Sequence, residues 1–290
     1  MRLSKMYEPD PVLELIETID RLRERLSKRS DGTLGLVPTM GALHAGHAAL
    51  VHEAHRENGV VVVTIFVNPL QFNNQDDLAR YPRTLEADVA FCRALDVDVV
   101  FAPSAAEVYP QPPECSVDVG RLADHLCGKF RPGHFSGVAT VVLKLFQMVQ
   151  PHRAYFGEKD AQQLAIIRRL VADFNVPVAI VEVPTVRESD GLALSSRNRL
   201  LGPAERALAP SLYQALVEAR TQIARGSRRA SDIRRAAAAC IPSDPSLRLE
   251  YFEIVDPATM QPVEEVVRPV RVAAAMWVGT TRLIDNILVS

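Results

Sequence analysis

The sequence predicts an α/β fold: a Rossmann-like, doubly wound parallel sheet followed by a smaller C-terminal α+β domain. Three observations carry that reading. Short β-branched runs alternate with amphipathic helical runs as far as Pro184. Glycine-bearing turns stand where several strand patterns pass into helix patterns. Beyond Pro184 the composition shifts to alanine- and arginine-rich helices and then to successive strands. The boundary is therefore placed at residue 184, giving residues 1–184 as the Rossmann-like domain and 185–290 as the smaller one.

Pro11 to about Arg29 sets Val12, Leu13, Ile16, Ile19, Leu22 and Leu26 at helical spacing between charges, so a covering helix is expected there. Residues 34–58 read as strand, tight glycine turn and helix. Val60–Val67 is a β-branched run that suits a strand buried on both faces, and Asn68-Pro69 ends it. Leu70 to Thr84 is polar and reads as a loop over the strand ends. Glu86–Leu95 should be helical and Asp98–Ala102 a third strand. From Pro103 to Phe130 the pattern weakens, with a short edge strand expected near Ser116–Val119.

Val138, Val141, Val142, Leu145 and Val149 then form one apolar helical stripe, followed by a strand at Arg153–Phe156. Leu164, Ile167, Val171 and Phe174 should face inward from the next helix, and Val178–Val183 closes the sheet. The C-terminal domain should hold one long helix from about Pro203 to Arg225 and a second from Ser231 to Cys240. Strands are expected around Leu249–Val255, Val270–Val278 and Leu283–Val289.

With 290 residues, 48% of them hydrophobic, the chain can bury one large and one smaller core. A net charge of −2 weighs against a protein that lives on nucleic acid or an anionic membrane. The four cysteines, Cys92, Cys115, Cys127 and Cys240, show no Cys-x-x-Cys spacing and read as reduced thiols. The charged N-terminus lacks the apolar core of a signal peptide, and no uncharged run of eighteen apolar residues appears. A cytoplasmic protein with small-molecule partners and no nucleic acid or membrane is expected.

Four clusters lie at or just beyond predicted strand ends, where open α/β sheets bind ligands. The first runs from Pro38 through Thr39, Met40, Gly41, Ala42, Leu43, His44, Ala45 and Gly46 to His47. Gly41 and Gly46 permit positive φ, the helix start offers free amides and a favourable dipole, and two imidazoles add donors. Gln71 marks the second cluster. The third is Gly157-Glu158-Lys159-Asp160, where a lysine can meet a phosphate, and the fourth is Leu194-Ser195-Ser196-Arg197-Asn198. Together these read as a polyphosphate site, with His44, His47, Lys159 and Arg197 as its positive groups. Zinc on the histidines at 44, 47, 52 and 55, a serine nucleophile at 195 or 196, and an RNA patch from Arg220 to Arg235 are weaker readings.

The segments Pro38–His47, Phe66–Phe72, Tyr81–Thr84, Tyr155–Gln163 and Ser195–Asn198 resemble the pantothenate synthetase (pantoate–β-alanine ligase) family in unbroken order. That resemblance implies a cytoplasmic homodimer that joins D-pantoate to β-alanine using ATP, through a pantoyl adenylate, releasing AMP and pyrophosphate. It also implies the nucleotidyltransferase superfamily with a His-x-Gly-His motif. By position, Met40 to His47, Gly157 to Asp160, Val186 and Leu194 to Arg197 would contact ATP, with His47 as the proton donor. Gln71 and Gln163 would hold pantoate, and Gln71 would also lie against β-alanine. Magnesium would ride mainly on the phosphates, with Asp88 as a water-mediated partner. The rival readings are a nucleotidyltransferase acting on a phosphorylated acceptor and a non-catalytic nucleotide-binding protein.

Overall fold

The computed structural model describes residues 13–28 and 32–290 of the chain. In order come β1 (Glu14–Ile16), α1 (Ile19–Ser27), β2 (Leu34–Thr39), α2 (Ala45–Glu57), β3 (Val60–Ile65), α3 (Gln75–Arg80) and α4 (Leu85–Arg93). Then follow β4 (Val99–Phe101), α5 (Ala105–Val108), α6 (Leu126–Phe130), α7 (His134–Val149), β5 (Arg153–Gly157), α8 (Ala161–Asp173) and β6 (Ala179–Val183). The first six strands form one sheet in the order β1-β4-β3-β2-β5-β6, and every pairing in it is parallel. From β2 the chain builds outward through β3 and β4, then returns to place β5 on the other side of β2. The crevice beyond the carboxyl ends of β2 and β5 is thus the topological switch point, where such sheets take ligands.

Side chains alternate across the strands with period two, so each strand feeds two cores. Leu34, Leu36, Val62 and Phe101 join one core with α1, α7 and α8, while Val37, Val61, Val63 and Val100 join the other with α2 and α4. Burial on both faces is why all six residues of β3 are β-branched. The α7 stripe is buried along its length. Each such valine contributes roughly 1.5–3 kcal/mol by leaving water, so a charge at Val142 would split this layer.

The described N-terminal segment corrects the single helix expected from Pro11 to Arg29, of which Pro11, Val12 and Arg29 lie outside the described residues. Glu14–Ile16 is a strand because β4 offers its free edge, pairing Glu14 with Val99 and Ile16 with Phe101. The loop expected from Leu70 to Thr84 contains α3, whose first turn is capped by Asn74, its side chain accepting from the Asp76 amide at 2.8 Å. No strand forms at Ser116–Val119; the Val117 amide donates instead to Thr140 Oγ1 on α7 at 3.0 Å. Phe174 is 56% exposed, because α8 stops at Asp173 and Val176 and Val178 supply the next inward side chains.

The C-terminal unit comprises α9 (Pro203–Leu208), α10 (Ser211–Ala224), α11 (Ala230–Ala238) and an antiparallel sheet of β7 (Leu247–Val255), β8 (Val270–Val278) and β9 (Thr281–Val289). The single helix expected from Pro203 to Arg225 is broken at Ala209–Pro210, since Pro210 has no amide to continue the ladder. α10 and α11 bury Leu212, Leu216 and Ile233 against Ile254, Val272 and Met276 of the sheet. No helix among the described residues is long and apolar enough to cross a membrane.

Candidate active site

β2 carries Pro38, Thr39 and Met40 to the carboxyl edge of the sheet, and the chain then reverses through Gly41 at φ +84° and Ala42 at φ +52°. Asp88 of α4 pins this turn. Its Oδ2 accepts from the Ala42 amide at 2.9 Å and from Thr84 Oγ1 at 3.0 Å, and its Oδ1 accepts from the Leu43 amide at 2.8 Å. A Cβ at Gly41 would stand 2.9 Å from Asp88 Oδ2, so glycine is required there for both room and φ. Asp88, expected beside magnesium, is therefore a brace behind the turn, only 3% exposed, with both oxygens engaged.

The two imidazoles cap α2 in place of the usual hydroxyl or carboxamide. His44 Nδ1 accepts from the Gly46 amide at 3.1 Å, and His47 Nδ1 accepts from the His44 amide at 3.2 Å. With both Nδ1 lone pairs occupied, each neutral ring carries its proton on Nε2 and presents a donor there. Burial, reinforced by the Lys159 charge, lowers His44 to a pKa of about 4. Burial, then the neighbouring His44 and Lys159, lowers His47 to about 3. The pair are therefore neutral donors in the free protein, not the cations expected from the sequence. Gly46 also has a different purpose from the one expected. Its φ is not positive, but a Cβ there would lie 2.8 Å from His44 Cε1, so glycine leaves room for the capping ring.

Most amides of the turn are already engaged. Gly41 donates to Thr39 Oγ1, Ala42 and Leu43 to Asp88, His44 and Gly46 to the imidazoles, and His47 to the His44 carbonyl. The backbone cradle expected from the sequence thus holds itself together. Donors for an anion come chiefly from side chains.

Gln71 ends a short turn, Pro69–Gln71, that packs on α7. A Cβ on Gly137 of α7 would fall 2.3 Å from the Leu70 carbonyl oxygen, so that glycine admits the turn. Asn68 Nδ2 donates to Gln71 Oε1 and to the Gly137 carbonyl, both at 3.1 Å, while His134 Nδ1 donates to the Gln71 carbonyl at 2.8 Å. With Oε1 held by Asn68, Nε2 donates one proton to Met40 Sδ at 2.9 Å and has its second for a ligand. His134 Nε2 lies 3.1 Å from Arg131 Nη1, and burial, followed by the Arg131 charge, lowers His134 to a pKa of about 4.

Beyond β5, Glu158–Asp160 form a single 3₁₀ turn into α8, and Lys159 Nζ stands 3.8 Å from Asp160 Oδ2. On α8 the paired glutamines diverge. Gln162 donates to the carbonyls of Leu122 and His125, each at 2.8 Å, whereas Gln163 lines the cleft. Ser195 Oγ caps the next turn from the Arg197 amide at 3.3 Å, and the Arg197 guanidinium lies 3.9 Å from Asp77 on α3.

These elements enclose a cleft of about 260 Å³. His44, His47, Gln71, Lys159, Gln163 and Arg197 all line it, together with Pro38, Thr39, Met40, Gly46, Gly157, Asp160, Val186, Leu194, Ser195 and Ser196. Five expected residues are not on its wall: Gly41, Ala42 and Leu43 are buried in the turn, Ala45 is exposed, and Glu158 packs beside Glu182. Unexpected residues on it include Tyr81, Arg131 and His134. The basic pair Arg131 and His134, spaced around Gly133 before a helix, was the signal available for two of them. A smaller chamber of about 70 Å³ shares Lys159, Gln163, Arg131 and Arg197 with the cleft and extends to Arg282.

A sequence profile of the Pantoate-beta-alanine ligase family matches residues 14–288. The chain belongs to that family. Among its relatives, the bifunctional pantoate ligase/cytidylate kinase of Synechococcus elongatus is 54% identical over 259 residues, covering 88% of this chain and 49% of its own length. The chain thus spans about half the length of such bifunctional relatives. The pantothenate synthetase of Thermotoga petrophila is 49% identical over 275 residues, covering 95% of this chain and 98% of that one. Pantothenate synthetase from Thermus thermophilus superposes with a TM-score of 0.90 at 47% identity, covering 95% of this chain and 99% of that one. The Francisella tularensis pantoate-beta-alanine ligase, solved with beta-gamma ATP and beta-alanine, gives 0.79 at 36% identity over 96% and 98% of the two chains.

The resemblance implies ATP with magnesium, and the Francisella tularensis relative is solved with beta-gamma ATP. The described residues hold no group of three histidine, cysteine or carboxylate side chains able to chelate a metal. Asp160 is the one carboxylate among the described residues of the cleft wall. Such a wall fits magnesium, which keeps its waters and is commonly held by one or two carboxylates plus substrate phosphates.

Proposed function

We propose that this ligase condenses D-pantoate with β-alanine at the expense of ATP, through a pantoyl adenylate, releasing AMP and pyrophosphate. The observation that carries the reading is the convergence of His44, His47, Lys159, Arg197, Gln71 and Gln163 on one cleft at the sheet's switch point. In the first step a pantoate carboxylate oxygen bonds to the α-phosphorus, and the bond to the β-phosphate oxygen breaks. The carboxylate is already ionised at neutral pH, so no strong base is needed. The Nε2–H groups of His44 and His47 donate to the phosphate oxygens as charge builds there, and Lys159 and Arg197 neutralise the departing pyrophosphate. Asp160, together with the substrate phosphates, would hold magnesium, and the ion would supply further neutralisation of phosphate charge. The NH₂ of Gln71 and the amide of Gln163 take the hydroxyl and carboxylate oxygens of pantoate without trapping the nucleophile in an ion pair.

In the second step the amine nitrogen of β-alanine attacks the acyl carbon and AMP leaves, the surplus proton passing to its phosphate or to water. Gln71 lies against the amino acid, whose carboxylate reaches the Arg131 and Arg282 side of the adjoining chamber. The unit of residues 185–290 closes over the ATP site, ATP contacts fall at Met40, His44, Gly46 and His47 and at Gly157, Lys159 and Asp160, and the enzyme works as a cytoplasmic homodimer.

Exchange of labelled pyrophosphate into ATP tests the chemistry. It should require pantoate and proceed without β-alanine. Exchange driven equally well by a phosphorylated acceptor, or independent of pantoate, would replace this reading with a nucleotidyltransferase.

A further inference from the structure

Asn286 belongs to β9, in the C-terminal sheet, 127 residues beyond Lys159. Its Nδ2 donates to the Glu158 carbonyl and to the Lys159 carbonyl, each at 2.9 Å. Its Oδ1 accepts from Arg271 on β8, and the whole residue is 5% exposed. Both amide protons and one lone pair are therefore committed. Beside it, Asp285 accepts two bonds from Arg187, at 2.6 and 2.9 Å, and Arg187 also donates to the Asn286 carbonyl at 3.3 Å. Arg187 lies in the segment leaving β6, so this network ties both the lysine turn and the chain's exit from the parallel sheet to one pair of adjacent residues.

The lysine turn, strung between Gly157 at the end of β5 and the start of α8, has no cap of its own. Its three residues have no side-chain cap at Gly157, and a Cβ on Gly157 would meet nothing within 4 Å. We propose that Asn286 is a positioning residue for adenylate formation: by gripping the carbonyls of residues 158 and 159 it sets where the Lys159 ammonium stands in the cleft. Misplacing a catalytic group by about 1 Å can cost roughly 10²-fold in rate. The inference rests on the role of Lys159 proposed above.

A double-mutant cycle tests it. Pantoate-dependent pyrophosphate exchange is measured on the full chain, Lys159→Ala, Asn286→Asp and the double variant, over hours so that slow variants register. Asn286→Asp keeps the size and the partner for Arg271 but turns both donors into acceptors facing carbonyls. The expected result is a kcat lowered by about 10- to 100-fold with the KM for pantoate nearly unchanged, and no further loss once Lys159 is alanine. Losses that multiply in the double variant overturn the inference while leaving the role of Lys159 intact. A wild-type rate in Lys159→Ala overturns that role and the inference with it. Thermal unfolding confirms that each variant is folded at the assay temperature, and Asn286→Ser takes the same cycle if Asn286→Asp does not fold.

Discussion

Two strand-to-helix turns meet in the cleft, and they are held in opposite ways. The histidine turn after β2 is braced by α4 of its own sheet, through Asp88, and caps itself with its own imidazoles. The lysine turn after β5 is held by Asn286, from the other sheet. The first is therefore rigid as part of one folded unit, whereas the second takes its geometry from how two units meet.

The largest effect should come from Asp88→Ala. It strands the buried amides of Ala42 and Leu43, at about 1–3 kcal/mol each, so unfolding in urea should show a loss of about 2–6 kcal/mol together with lost adenylation. Wild-type stability in that variant would remove the brace from the comparison. Next, His47→Ala should slow single-turnover adenylation by roughly 10²–10³ and cost about 0.5–2 kcal/mol of stability, because the ring is both a donor to the cleft and a cap of α2. An unchanged rate would mean that the cleft's donors lie elsewhere.

A smaller and sharper contrast uses one glycine from each turn. Gly41→Ala forces a side chain into the left-handed region at φ +84° and against Asp88, so about 1–2 kcal/mol of stability should go. Gly157→Ala, at φ −78° with open space around its Cβ, should stay within about 0.5 kcal/mol of wild type. Equal losses from both would erase the distinction.

Near neutrality the smallest effect is the pH dependence of stability. His44 and His47 stand at about 4 and 3 in the folded chain, against an ordinary 6.5, so unfolding takes up protons between those values. Stability therefore rises with pH across that window and is lost as pH falls below about 6.5. Melting scans at pH 7, 6 and 5 should show this slope, to which His134, also lowered to about 4, adds its share, and the double variant His44→Gln/His47→Gln should reduce it to the part that His134 leaves. The unaltered slope in that variant would place the titrating groups outside the histidine turn.

Much of this was legible because periodicity is local. β2, β3, α2, α7 and α8 follow from runs whose spacing alone distinguishes strand from helix. β1 was not, since Leu13, Ile16 and Ile19 fit a helix until β4 supplies an edge; nor was α3, whose six residues are too few to show a period. In the site, the histidines, Lys159, Arg197, Gln71 and Gln163 stood out by residue type at strand ends. What escaped was the support behind them. The grip of Asp88 on the Ala42 and Leu43 amides, the room left by Gly137, the bond from His134 to the Gln71 carbonyl and the reach of Asn286 are all contacts between distant stretches, and no local spacing encodes them.

The distance between Lys159 and Asn286 also has a temporal side. The ribosome joins Asn286 to the nascent chain 127 residues after Lys159, an interval of about 6–25 s at roughly 5–20 residues per second. The parallel sheet and its self-capped histidines can therefore assemble while β9 is still untranslated. A chain halted in that interval would have its cleft-facing imidazoles in place but a lysine turn without the grip of Asn286 on its carbonyls.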